Sequence, residues 1–405
     1  MSRLIEIALG IVTGIGGFLE AGSLATAAQA GSEFRYDLIW AVIVGAVCLA
    51  FLVEMSGRLS AISKHTIPDA LRERFGIRFF AVALIIMELV MFMVMATELG
   101  GVAIALEFAS GVSYRWWALP VGFVAWILLW KGTFGLIEKG VSVLGLITLA
   151  FVVGAIHLHP PLAEVARGAV PRLPAHDHAR YWFLAVSILG ASISPYLFAF
   201  YSAGAVEDKW DVSHLTINRI TAGFGMGFGG IVAIGALILA AIVLHPLDVQ
   251  VDSFAQLPLL LTGAFGRVGF ALFVCSLAIA CFGAAQEIAL TAAYMLAQGL
   301  GWRWSENLPP AEDARFSLAY TILIPLAAVP AAAGVDILKL TNISMVLSAA
   351  SLPVIVAPLL ILMNDRRYVR DYGNGWFSNT VVALITALAF VLAVVSFPLL
   401  IKGGG

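Results

Sequence analysis

The sequence predicts an all-α protein that crosses a membrane many times, and three observations carry that expectation. Only 12% of its 405 residues are charged and 61% are apolar, with a mean hydropathy of +0.98. A soluble domain is about 25% charged and 45–50% apolar. Residues 7–19, 38–53, 140–163, 181–206, 220–247, 316–335, 340–363 and 372–401 contain no Asp, Glu, Lys or Arg, and apolar runs of about 18 or more residues read as membrane helices. The period-2 alternation of a membrane barrel is absent, which leaves helices. This composition excludes a soluble enzyme, a disordered chain and a nucleic-acid binder, since a net charge of −2 offers phosphate no basic footprint. Cys48, Cys275 and Cys281 lie in apolar runs without metal-type spacing, so neither a disulfide framework nor a zinc site is expected. No loop carries a nucleophile–base pair or a phosphate loop, so neither an enzyme nor a bound cofactor is expected.

Eleven spans follow. The first, 6–30, joins the charge-free run 7–19 to a glycine-rich stretch around Glu20. Arg3, the apolar stretch and Ala28-Gln29-Ala30 imitate a cleaved signal peptide, but Glu6, Glu20 and five glycines between Gly10 and Gly22 argue for a retained helix. The second, 37–57, stops before Arg58, and the third, 79–108, is apolar except for Thr97 and three carboxylates, Glu88 and Glu98 within it and Glu107 at its end. Spans 115–131 and 137–157 follow, and then a proline-bearing loop, 158–179, with Pro160, Pro161 and Pro174. The remaining spans are 180–206, 218–244, 266–298, 316–333, 337–363 and 377–401. At about 20 residues each they leave short loops and no separate soluble domain.

Lys and Arg set the orientation. With the N-terminus inside, 15 of the 23 basic residues fall on the cytoplasmic side and 8 outside. The expected location is the cell membrane, with the N-terminus cytoplasmic and the C-terminus outside.

Two spans look broken. In the first, Gly14, Gly16, Gly17 and Gly22 surround Glu20, and each glycine weakens a helix by about 1 kcal/mol relative to Ala. A mid-membrane carboxylate is costly and must face a cavity or a cation. Ser23, three residues on, shares the Glu20 face of a helix. In the sixth span, Gly190-Ala191-Ser192-Ile193-Ser194-Pro195-Tyr196 interrupts the run, because Pro195 lacks a backbone donor and clashes with the preceding turn. Interrupted helices opening two successive sets of five spans point to a transporter of inverted repeats with its site at the midplane. The blander account is that Gly and Pro are common in membrane helices and that serines bond their own helix.

At these residues the chain resembles the natural resistance-associated macrophage protein (Nramp) divalent-metal transporters, and the resemblance runs over nearly its whole length. Gly17 to Tyr36 is similar to the family's first helix and its exit; Arg58-Leu59 and Leu71 to Phe75 are similar to the second-helix end and following loop. Glu98 to Leu106, Gly190 to Ser202, and Leu352-Pro353, Pro358 and Asn364 to Arg367 are similar to the third, sixth and tenth helices. The resemblance implies a LeuT-type fold of eleven transmembrane helices, with two inverted five-helix repeats plus one extra helix, and helices 1 and 6 broken. The divisions implied are 1–157, 158–179, 180–363 and 364–405: first repeat, outer loop, second repeat, and a turn with the last helix.

The departures from the family matter more. Its D-P-G-N reads Glu20-Ala21-Gly22-Ser23 here, and its M-P-H reads Ser194-Pro195-Tyr196. A second sixth-helix histidine becomes Tyr201, and the proton-linked Asp of the third helix becomes Met95, while Glu88 and Glu98 are kept. The tenth-helix ligand falls at Ser344 or Met345, and the ninth-helix Arg has no counterpart in 316–335. The implied ligands are Glu20, Ser23, Ser194 and a freed carbonyl near Ala191, with Tyr196 bonding a coordinated water and Ser344 or Met345 as additional ligands. Loss of the sixth-helix Met removes a soft donor, and oxygen ligands suit Mg²⁺, Ca²⁺ and Mn²⁺. Mg²⁺ keeps several waters around one or two carboxylates, so the sequence is similar to the Nramp-related magnesium branch. With tyrosines in both histidine positions, proton coupling is expected to be weak or absent, Glu88 and Glu98 being either a reduced relay or buried packing groups.

The expected partners are a divalent cation and the bilayer, with no nucleic acid and no obligate protein partner. An alternative stands beside this reading: a carrier of a small organic solute, with Glu20 as counter-ion and Tyr196, Phe198, Phe200 and Tyr201 lining the pocket. His157, His159, His176 and His178 flank the outer loop, and Glu207, Asp208 and Asp211 follow the sixth span. Solvated loop and helix-end roles suffice for both groups.

Overall fold

The computed structural model describes residues 20–131, 140, 143–174 and 176–403. Among these residues every regular element is helical. In chain order they include α1 (Ala21–Phe34), α2 (Ile39–Ser63), α3 (Ile67–Ser110), α4 (Tyr114–Trp130) and α5 (Val143–His157). Next come α6 (His178–Ser192), α7 (Pro195–Glu207), α8 (Leu215–Val243), α9 (Leu259–Leu300) and α10 (Ala314–Ala332). The last are α11 (Ile337–Ser351), α12 (Pro353–Leu362) and α13 (Trp376–Gly403). Every expected span carries helix. Eight helical stretches among the described residues are long and apolar enough to cross a membrane, with α6–α7 and α11–α12 each counted as one. α4 and α5 are shorter, and of the first span only its second half, from residue 20, lies within the described residues.

Backbone chemistry explains the interruptions. α3 turns at Gly76 (φ 83°, ψ 164°), so the amphipathic stretch around Arg72 and Arg74 departs from the membrane run. Gly266 (φ 59°, ψ −136°) bends α9 where the sequence places the start of the eighth span. Both angles lie where a side chain is strained and glycine is not. Between α6 and α7 the chain leaves helical geometry at Ile193 (φ −101°, ψ 55°) and runs extended at Ser194 (φ −64°, ψ 115°). Pro195 explains the second of these: it forces the residue before it out of the α region and suits the first helical position of α7. The sixth span is therefore broken where the sequence places the break.

One continuous apolar core runs through the bundle. α9 packs along α3, while α8 packs against α1 and α2. On the outside, α13 leaves Leu384, Phe390, Val394 and Ile401 exposed, a contiguous apolar face that lipid would cover. Away from the core, Arg58 donates from Nη1 to Tyr372 O at 2.8 Å and from Nη2 to Asn374 Oδ1 at 2.7 Å. Arg74 Nε meets Asp365 Oδ2 at 2.9 Å. The end of α2 and the start of α3 are thus pinned to the segment after α12, far away in sequence.

Candidate metal site

Glu20 is the N-cap of α1, with extended backbone (φ −120°, ψ 173°), and only 1% of it is exposed. Its own N–H donates to Ser23 Oγ at 3.1 Å. Ser23 thus closes the first turn of α1. The carboxylate reaches across to the break in the sixth span. Tyr196 OH donates to Glu20 Oε2 at 2.7 Å, and Ser194 Oγ approaches Oε1 at 3.4 Å. Ser194 Oγ also lies 2.8 Å from Ala191 O. A hydroxyl has one proton, and the shorter contact takes it. The Ala191 carbonyl is therefore occupied by Ser194, while the lone pairs of Ser194 Oγ stay near Glu20. Phe198 is wholly buried and Phe200 packs on Tyr294, centroids 6.2 Å apart, so both rings are used in packing.

A second carboxylate stands behind the first. Glu98 of α3 is fully buried and accepts the Ala21 N–H on both oxygens, at 3.2 and 3.1 Å. An acceptor at the N-terminus of α1 satisfies an otherwise unpaired donor. The Cys281 thiol donates to the same carboxylate. Glu88, also expected here, lies ten residues earlier on α3, about 15 Å along the axis. It is half-buried, and its Oε1 has no partner among the described residues.

The tenth span contributes through packing. Met345 is fully buried, and a Cβ placed on Gly22 would lie 2.4 Å from its Sδ. A Cβ on Gly190 would lie 2.1 Å from the Met345 carbonyl oxygen. Met345 therefore sits between α1 and α6, and glycine at both positions makes room for it. Ser344 is turned into its own helix and donates to Thr341 O at 2.8 Å.

Two residues on α9 to which the sequence assigns no site role, Cys281 and Glu287, also face this region. Glu287, 7% exposed, lies within electrostatic reach of Tyr196. The signal was available: Gln286-Glu287 interrupts an apolar span, the same reason that singled out Glu20. The flanking residues have ordinary uses. His157 stacks on Phe265 and His176 on Phe34, Glu207 binds Ser305 and Asn307, and Asp211 caps a turn. Hydrogen bonds from Ser213 and His214 hold the exposed Asp211 carboxyl down to about 2.

Among the described residues no three His, Cys, Asp or Glu side chains converge as a metal cage. One carboxylate, two hydroxyls and a backbone carbonyl make a sparse oxygen set. Such a set suits a hard cation that keeps part of its water.

The family model described as natural resistance-associated macrophage protein-like matches residues 10–398. A divalent metal cation transporter MntH of Aeromonas hydrophila subsp. hydrophila is 26% identical over 392 residues, covering 93% of this chain and 91% of that protein. The MntH of Deinococcus radiodurans is 29% identical over 248 residues, covering 58% of this chain; that alignment takes in 55% of the relative's length. Among solved structures, a manganese transporter of Eremococcus coleocola bound to an aromatic bis-isothiourea compound superposes with TM-score 0.79. It shares 20% identity, and the match covers 98% of this chain and 86% of that one. MhsT in complex with L-phenylalanine superposes with TM-score 0.65 at 12% identity, covering 98% of both chains. These likenesses carry the fold, which is the LeuT-type arrangement expected above.

Proposed function

Because the chain belongs to the natural resistance-associated macrophage protein (Nramp) family, we propose that it carries divalent metal cations across the plasma membrane by alternating access, with Mn²⁺ and Mg²⁺ as its ions. It is a transporter and not an enzyme, and the metal is its cargo rather than a cofactor. One observation supports this reading above the others: Glu20 and the broken sixth span, 174 residues apart at Ser194, meet at a buried carboxylate.

In this proposal Glu20 neutralises half the charge of the ion. Ser194 and Ser23 oxygens and the Ala191 carbonyl add ligands after the local bonds exchange, and Tyr196 bonds a retained water. Each of these groups lies on an interrupted or capped end, where small backbone changes free oxygens at low cost. The two halves of the chain, 1–157 and 180–363, move as inverted repeats about this point, with the N-terminus cytoplasmic. Met95, Tyr196 and Tyr201 offer no group that titrates near neutral pH at an unperturbed value. Proton coupling is therefore weak or absent, and the membrane potential suffices as driving force. A doubly charged ion gains roughly 4.6 kcal/mol per 100 mV, twice the single-charge figure.

Metal influx into proteoliposomes tests the reading. Mn²⁺ and Mg²⁺ should enter under an inside-negative potential with little dependence on a pH gradient, and Glu20→Ala should abolish entry. Undiminished influx in the Glu20→Ala chain would overturn the site, and influx that needs a proton gradient would overturn the uncoupled mechanism.

A further inference from the structure

We propose that Glu287 balances the positive charge that Glu20 leaves uncompensated on a bound divalent cation, and that it opens a polar stripe on α9 along which the hydrated ion passes to the inner end of the bundle. The proposal rests on the transport reading above and deepens it, adding a charge to the site and a route out of it.

A divalent ion held by one carboxylate keeps a net positive charge, which is costly inside a membrane. Three carboxylates lie within electrostatic reach of Tyr196: Glu20, Glu98 and Glu287. Glu98 is committed elsewhere, since both its oxygens accept the Ala21 N–H and the Cys281 thiol donates to it. That leaves Glu287 to supply the second negative charge.

Helix register places Glu287 there independently. α7 and α9 run in the same direction, because one long crossing helix, α8, lies between them. They pack together with Phe200 beside Tyr294, ring centroids 6.2 Å apart. Glu287 precedes Tyr294 by two helical turns, about 10 Å. The same step back from Phe200 on the sixth span reaches Ile193, where the chain leaves helical geometry. Glu287 therefore stands level with the break that presents Ser194 and Tyr196.

The stripe follows from spacing. Glu287, Thr291, Tyr294 and Gln298 recur along one face of a helix, and all four are buried. Gln286 points elsewhere and donates to Ala125 O of α4 at 3.1 Å. Neither polar atom of the Gln298 amide has a partner among the described residues, although a buried amide normally finds one. Polar groups buried in membrane helices mark ion paths. Near the inner end Tyr294 OH donates to Glu306 Oε2 at 2.7 Å. With Tyr294 packed on Phe200 the stripe is shut in this structure, and a movement of α7 that withdraws Phe200 opens it.

The test uses the full chain, with Mn²⁺ as the probe. A thermal-shift titration in detergent gives the Kd of Mn²⁺ for the unaltered chain. Glu287→Gln keeps the volume and removes the charge. It should raise that Kd about tenfold, equivalent to about 1.4 kcal/mol, and Glu287→Asp should restore most of the loss. An unchanged Kd in Glu287→Gln, or a Glu287→Asp chain no better than Glu287→Gln, overturns the charge-balancing role. In proteoliposomes Gln298→Leu should lower the maximal Mn²⁺ influx several-fold with KM unchanged, and undiminished influx overturns the route. If Glu287→Gln does not fold, anomalous scattering from Mn²⁺ in crystals of the unaltered chain decides. The ion should lie between Glu20 and Glu287, with at most one water on the Glu287 side, and an ion on the side of Glu20 away from α9 overturns the proposal. Absence of any Mn²⁺ binding to the unaltered chain would instead sink the transport reading on which the proposal rests.

Discussion

Tyr196 OH donates to Glu20 Oε2 across 2.7 Å, joining the first turn of α7 to the N-cap of α1. Both residues are about 1% exposed. A hydrogen bond to a charged group contributes about 1.5–3 kcal/mol net.

Tyr196→Phe removes that donor and leaves Glu20 with the long contact to Ser194. The ion-free variant should melt below the unaltered protein by an amount equivalent to about 1.5–3 kcal/mol. Added Mn²⁺ should restore more stability to the variant than to the parent, because the cation takes over what the hydroxyl supplied. Scanning fluorimetry with and without Mn²⁺ measures this, and an equal Mn²⁺ shift in both chains would count against Glu20 as the ion's ligand.

Glu98 holds the Ala21 N–H from α3. Glu98→Ala strands that donor in the core and should cost about 1–3 kcal/mol. Glu98→Gln keeps one acceptor oxygen for Ala21 and should cost less. Thermal unfolding in detergent separates the two. If both variants lose the same stability, the charge rather than the hydrogen bond anchors α1.

The packing of α6 against α11 leaves no room at Gly190. Gly190→Ala drives a methyl group into the Met345 carbonyl, 2.1 Å from the new carbon, and overpacking of this kind costs about 1–3 kcal/mol or more. Gly111→Ala is the control: nothing lies within 4 Å, and only its φ of 74° opposes a side chain. Its loss should be near 1 kcal/mol. Melting temperatures should fall further for Gly190→Ala than for Gly111→Ala.

Asp365 lies in the turn after α12. The Arg367 N–H, with the Arg74 guanidinium beside it, holds its carboxyl below the ordinary value. A depressed carboxyl contributes stability that is present above its unfolded pKa, about 3.9, and is lost as pH falls through the lower folded value. Asp365→Asn should therefore be less stable than the parent at pH 7, and the gap should close in acid below pH 4. Melting curves across that range measure the gap, and a constant difference at every pH would remove the ionised carboxylate from the account.

The spans were legible because membrane segments are read from local composition alone: a run without charge must be helical in lipid whatever it packs against. The sixth-span break was legible for the same local reason, since Pro195 constrains Ser194 with no help from tertiary structure. Glu20 stood out because a mid-membrane carboxylate is costly anywhere. Glu287 carries the same signal, but no glycine or proline beside it marks a break. The direction in which Met345 and Ser344 point was not legible, since adjacent residues on a helix face differ by about 100° and the choice depends on what lies opposite.

By itself, then, the sequence determined the class of the protein, the placement of its helices and the identity of the costly carboxylate, each being a property of a short stretch in a fixed solvent. The tertiary structure alone decided that Tyr196 closes on Glu20, that Glu98 caps α1, that Ser194 occupies the Ala191 carbonyl and that Met345 lies against Gly22. Apart from the local Ser194–Ala191 bond, these contacts join residues at least 77 positions apart. Such contacts depend on helix packing, where a missing Cβ on one helix determines which atom of another can approach.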